Sequence, residues 1–253
     1  MGRSSALFKF GQASIVRGMR LFAPLLILVA QAANAQTAPA GSTPWQPDAP
    51  YVTAGQDEPG YRNWYMAAPW HASYIQAFND YLTTWGVGGV VPTWQLLRTA
   101  SDWQKCGAQP FEVPPTETWP NVIQSLRFIR DKVIPAIGPV EPVSAYRNPD
   151  LNRCAAGAPE SAHRYFQAVD LVPVNPITRE GLMDALCDRH ARSGQPYGVG
   201  LGFYVGLRFH VDSRKFRTWG SNDDGAIACA RSYKLAHSSD PDGANTDAPP
   251  PKN

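Results

Sequence analysis

Two short segments, SAHRYFQAVD at 161–170 and RFHVD at 208–212, constrain the fold of this chain more than any other part of it. Between them they carry His163, Asp170 and His210, two imidazoles and a carboxylate of the kind that close on one divalent metal. A catalytic zinc site takes three protein ligands from His, Asp or Glu and leaves a fourth position for a water that the metal acidifies. His163 and Asp170 are seven residues apart. On a continuous helix they would share a face two turns apart, too far for one ion. The chain must therefore reverse near 164–167 and continue as a strand that carries Asp170 inward beside Ala168. In a strand, residues two apart share a face, so Arg208, His210 and Asp212 point one way while Phe209 and Val211 point the other. The apolar pair faces a core and the polar trio a cleft. A lone strand histidine is ordinarily packed or hydrogen-bonded; the partner segment is what favours the metal.

The first 35 residues read as a leader. Arg3, Lys9, Arg17 and Arg20 accompany an apolar run at 21–30, and Ala33-Asn34-Ala35 is a small-residue cleavage pattern. A secretory signal peptide of this form places the protein in the periplasm or outside the cell, with the mature chain starting near Gln36. The apolar run is well short of the ~20 residues that span a bilayer and no later segment reaches that length, so no stable membrane anchor is expected. The leader holds four of the 23 basic residues and none of the 21 acidic ones, leaving the mature chain at net −2. Without a Lys/Arg cluster to track a phosphate backbone, nucleic acid is not an expected partner. Cys106, Cys154, Cys187 and Cys229 all lie in the exported part, where two disulfides are expected with three connectivities open. No CxxC pair is present, so cysteine-held zinc is not expected.

Residues 36–60, rich in Pro, Ala, Thr, Gly and Gln, read as a linker, and 236–253 as a disordered tail. Between them a single domain is expected at 61–235, with an N-terminal helical part at 61–118 and a metal-binding core at 119–219. Ile75, Phe78, Leu82 and Trp85 recur at helical steps, with Gly86 as a stop, and a short helix is expected within 90–99. Val122, Leu126, Ile129 and Val133 repeat the pattern until Pro135 and Gly138 end it. Residues 143–146 read as a short strand, Asn148-Pro149-Asp150 as a turn, 168–174 as a strand, 198–202 as a flexible turn and 207–212 as a strand. A helix is expected at 178–193, with Thr178 as N-cap and Gly194 just past its end. The strands are short and several connections are too tight for parallel crossovers, so the expected class is α+β, a small, mainly antiparallel sheet with flanking helices. His71, His190 and His237 lack partners at ligand spacing, with His190 placed at a helix end where its charge suits the dipole. Trp64, Trp70 and Trp219 are candidates to line a groove.

The order SxYR (Ser144, Tyr146, Arg147), SxHxxGxAxD (Ser161, His163, Ala168, Asp170) and HxD (His210, Asp212) resembles the zinc D-Ala-D-Ala carboxypeptidase family of bacterial cell-wall peptidases. Relatives of that family include D,D-dipeptidases of vancomycin resistance, phage endolysins and the signalling domain of hedgehog proteins. The resemblance spans about 100 residues, 119–219. It implies a hedgehog-like D,D-peptidase fold, a zinc ion on His163, Asp170 and His210, and peptidoglycan stem peptides as the partner to be hydrolysed. It also implies that Arg147 anchors the substrate's terminal carboxylate, which a guanidinium meets with paired hydrogen bonds. Tyr146 and Ser161 become substrate-binding or ligand-supporting groups. The favoured activity is that of a D,D-carboxypeptidase; an endopeptidase of the same fold and a noncatalytic, zinc-containing cell-wall-binding module are the alternatives.

Two positions depart from the pattern. The family's glycine between the first two ligands falls on Phe166, which predicts a different path for that turn. The acidic general base that many members carry three residues before the last histidine falls on Leu207. The nearest carboxylate, Asp212, is then the candidate catalytic base, or else an acceptor that orients an imidazole.

Overall fold

The computed structural model describes residues 51–220 and 224–238. The expected leader at 1–35, the first part of the expected linker and most of the expected tail lie outside the described residues. Five strands form one sheet: β1 (Val140–Ser144), β2 (Ala168–Pro173), β3 (Gly200–Phe203), β4 (Phe209–Asp212) and β5 (Arg217–Gly220). Their order is β1-β2-β4-β3-β5, and every neighbouring pair is antiparallel except β3 and β5. The helices are α1 (Glu58–Met66), α2 (Trp70–Thr84), α3 (Thr93–Leu96), α4 (Ile123–Phe128), α5 (Ile134–Ile137), α6 (Pro149–Cys154), α7 (Arg179–Tyr197) and α8 (Asp224–Ser238). The α+β class with a mainly antiparallel sheet is therefore present.

The helix before the sheet shows how local sequence becomes packing. Val122, Leu126, Ile129 and Val133 are all fully buried, as their spacing requires. Pro135, expected to help end the helix, does not. A π-helical turn at Ile129–Val133 precedes it, and the proline then takes the second position of α5, where a missing N–H costs least. Gly138, at φ 82°, ends the run. Together with Phe78 and Leu82 of α2, these side chains form one core with Leu171 of β2, Leu182 and Leu186 of α7, and Phe209 and Val211 of β4.

Several boundaries differ from expectation. Residues 51–60 are tied down. The buried Gln56 amide donates to the Pro110 carbonyl at 3.0 Å, its own carbonyl accepts from Arg98 Nε at 2.8 Å, and α1 begins at Glu58. Composition read this stretch as linker because a single anchoring side chain leaves no compositional trace. Asn148 is the N-cap of α6, and the expected turn is that helix's first turn. Thr178 does cap α7, but the helix runs on through Gly194 to Tyr197, and Gly198, at φ 63°, is its stop. Gly194 is required inside the helix because an added Cβ would lie 2.7 Å from His190 and 3.0 Å from Phe216. His190 is accordingly buried within α7, its Nε2–H donating to the Val199 carbonyl at 2.9 Å. The expected turn at 198–202 is largely β3, and α8 extends over 236–238, three residues of the expected tail.

Cys106 pairs with Cys154 and Cys187 with Cys229, which settles the connectivity. The first bond ties the loop after α3 to α6; the second ties α7 to α8. Two disulfides are compatible with an extracellular protein. Among the described residues no helix is long and apolar enough to cross a membrane.

Candidate metal centre

The reversal that the sequence demands between His163 and Asp170 is a 3₁₀ turn, Ala162–Tyr165, with the Ser161 hydroxyl accepting the His163 N–H at its start. Phe166 follows at φ 52°, in the left-handed conformation that glycine adopts without cost. Phe166 is fully buried, with Phe78 and Tyr146 5.8 and 6.5 Å away, and this packing holds a conformation costing about 1–2 kcal/mol. The chain then enters β2, where Asp170 stands opposite His210 of β4 and Ala168 opposite Asp212. Register alone brings the two ligand-bearing segments together.

His163 Nε2, Asp170 Oδ1 and His210 Nδ1 converge: 3.2 Å separates the first two and 2.8 Å the last two, and all three lie within 4.8 Å of one another. Adjacent ligands on a tetrahedral zinc are about 3.3 Å apart. Each imidazole is set by its other nitrogen. His163 Nδ1 faces the Ala145 carbonyl at 2.6 Å, and since a carbonyl only accepts, Nδ1 carries the proton and Nε2 turns a lone pair toward Asp170. His210 Nε2 faces Asp212 Oδ2 at 3.1 Å, which assigns that nitrogen the proton and turns Nδ1 toward Asp170. This is the arrangement of metal-ligating histidines, each donating its remote N–H to a carbonyl or carboxylate. This His163–Asp170–His210 group could hold a metal ion.

Charge around the group follows the same logic. Asp170 Oδ2 receives Arg147 Nη2 at 2.6 Å and also Arg208 Nη2, leaving Oδ1 for the imidazoles. Burial disfavours the Asp170 carboxylate, but its interactions with His163, Arg208 and His210 outweigh it, so Asp170 stays ionised well below the usual carboxylate range. Burial, helped by the Arg147 charge, pushes His163 down to about 4, so it is neutral near pH 7. For His210 burial acts in the same direction but the hydrogen bonds with Asp170 and Asp212 prevail, and its pKa is raised.

Asp212 is engaged on every side. Arg217 meets it with both nitrogens, Nη1 to Oδ1 at 2.9 Å and Nη2 to Oδ2 at 2.7 Å, and the Arg214 N–H donates to Oδ1 at 3.0 Å. Burial opposes its charge, yet the His210 and Arg217 hydrogen bonds hold its pKa below the usual range. A carboxylate so saturated is a poor proton acceptor. Of the two roles open to Asp212, the geometry supports orientation of His210. Leu207, at the family's acidic position, is buried in the core, with its N–H donated to the Tyr51 hydroxyl at 2.9 Å.

The group opens into a cleft of about 480 Å³ lined by Arg147, Ser161, His163, Tyr204, Arg208, His210, Arg214, Arg217 and Trp219, among others. Arg147 and Ser161 thus reach the cleft, with Arg147 Nε also donating to Ser144 Oγ at 2.9 Å. Tyr146 is buried edge-on against Phe166 and does not line it. Of the three tryptophans, Trp219 lines the cleft 5.2 Å from the His210 ring, Trp64 is buried against His71, and Trp70 is exposed on α2. Arg217 and Tyr204 were not identified from sequence as site residues. The signal available was the alternation of Gly200 and Gly202 in β3, in register with Arg217 and Trp219 of β5. No protein-family model, curated protein or solved structure matches the chain.

Proposed function

We propose that this protein is an exported zinc peptidase that hydrolyses peptidoglycan stem peptides, acting as a D,D-carboxypeptidase. The observation that supports the reading is the convergence of His163 Nε2, Asp170 Oδ1 and His210 Nδ1 at the floor of an arginine-lined cleft, with both remote ring nitrogens already donating. Two imidazoles and one carboxylate are a donor set suited to zinc, and three protein ligands leave a coordination position open. A bound zinc supplies an acidified water and polarises a carbonyl oxygen.

The protein's own residues do the remaining work. Ala145 and Asp212 hold the two imidazoles, while Arg147 and Arg208 neutralise Asp170 and give the cleft a positive potential suited to a terminal carboxylate. Tyr204 lines the cleft as a neutral phenol, since burial and then the Asp170 charge raise its pKa, so its hydroxyl keeps its proton. The cation–π contact of Arg208 on the Tyr204 ring, 4.4 Å from its centroid, keeps both at the cleft wall.

Mass spectrometry of pentapeptide muropeptides incubated with zinc-loaded protein, beside a chelated sample, tests this. Chelator-sensitive loss of one terminal D-Ala is expected. Cleavage only of crosslinked dimers would instead assign an endopeptidase, and intact substrates with zinc bound would assign a binding module.

A further inference from the structure

β5 contributes no ligand, yet its side chains lean onto β4 across β3. Gly200 of β3 pairs in register with Asp212 on one side and Arg217 on the other; Gly202 pairs with His210 and Trp219. A Cβ at Gly200 would lie 2.6 Å from both Arg217 Nη1 and Asp212 Oδ2, and one at Gly202 would lie 2.1 Å from the Trp219 ring. The two glycines therefore clear a path, and Arg217 uses it to reach both oxygens of Asp212 in a two-toothed ion pair. Asp212 in turn holds His210 Nε2.

We propose that Arg217 is a positioning residue of the metal centre: by clamping Asp212 across Gly200 it fixes the ring plane of His210, and so the direction in which Nδ1 faces His163 and Asp170. The inference rests on the metal-centre reading above. A carboxylate on one strand bond to a ring can swing about its χ2; a guanidinium gripping both oxygens removes that freedom. Supporting groups of this kind typically alter metal affinity by roughly 10- to 100-fold without touching the ion.

Three variants of the full chain test it: Arg217→Ala, Arg217→Lys and, from the opposite strand, Gly200→Ala. Cobalt affinity by chelator competition and the visible spectrum of the cobalt-loaded protein are one readout; solvent exchange of the His210 Nε2–H in metal-free protein, followed by NMR, is the other. Circular dichroism checks the fold of each. Arg217→Ala and Gly200→Ala are each expected to weaken cobalt binding roughly 10- to 100-fold and to speed exchange of the Nε2–H that Asp212 holds, with Arg217→Lys recovering part of the affinity through a single contact. Folded variants that keep wild-type affinity and wild-type exchange overturn the role of Arg217. A wild-type protein that binds no cobalt overturns the metal-centre reading, and the exchange rates still decide whether the clamp exists.

Discussion

At the scale of single residues, the site depends on side chains in environments they would avoid alone. Phe166 holds a left-handed backbone because its ring fills the space beside Phe78 and Tyr146. Phe166→Ala loses the ring and keeps the strain, whereas Phe166→Gly loses the ring and relieves it. Urea titration is expected to show both destabilised by several kcal/mol, with the glycine variant the more stable by about 1 kcal/mol, the reverse of the usual order. Asp170, wholly buried, balances Arg147 and Arg208 on one oxygen and two imidazoles on the other. Asp170→Asn removes the counter-charge from two guanidiniums. The variant is expected to lose stability by about 3 kcal/mol or more in the same titration, and to retain no zinc by elemental analysis after gel filtration.

Elements place these residues by register and by what they leave empty. β2 and β4 pair so that Asp170 meets His210, and a slip of one residue would put these two side chains on opposite faces of the sheet. β3 shows two glycines on the cleft side, a sequence that looks like a flexible turn until β5 is seen lying beside it. In α7, His190 stacks on Phe216, ring centroids 4.4 Å apart, and donates to Val199. Burial lowers its pKa below the ordinary 6.5, against smaller opposing contributions from the Val199 carbonyl and Asp212. The unfolded chain then takes up a proton that the folded one resists, so stability is complete above pH 6.5 and falls as pH drops through that value toward the folded pKa. Urea midpoints measured at pH 7 and pH 5 are expected to differ less in His190→Gln than in the wild type.

Over the whole molecule, the N-terminal helices and the sheet are joined by one core and by covalent ties. The Cys106–Cys154 bond spans 48 residues and anchors α6, whose following residues Ala155 to Ala158 line the cleft. Chain-entropy arguments give a closed loop of this length about 4 kcal/mol. Replacing both cysteines by alanine is expected to lower the unfolding free energy from denaturant titration by most of that amount, and reduction, which also breaks Cys187–Cys229, is expected to lower it further. Arg98 acts similarly without covalent chemistry. Buried beneath α3, it joins Gln56, Glu141 and the Pro142 carbonyl, and so fastens the start of the described chain to β1.

How much of this was legible in sequence depends on the range of the interactions. The three candidate ligands follow from their residue types, while the reversal between His163 and Asp170, the strand face shared by Arg208, His210 and Asp212, and the helix through Val122 and Val133 follow from periodicities of two and 3.6 residues, which are local properties of the backbone. Thr178 as a cap is equally local. The reach of Arg217 to Asp212 and the clearance at Gly200 were not readable, because they depend on β5 running parallel beside β3, and strand neighbours distant in sequence leave no periodic mark. The anchoring of 51–60 and the pairing of the cysteines belong to the same class. Sequence by itself determined which groups are candidate metal ligands and which strand faces they occupy; only the tertiary structure decided which charges surround them, since pairing partners and burial are set by contacts between segments tens of residues apart.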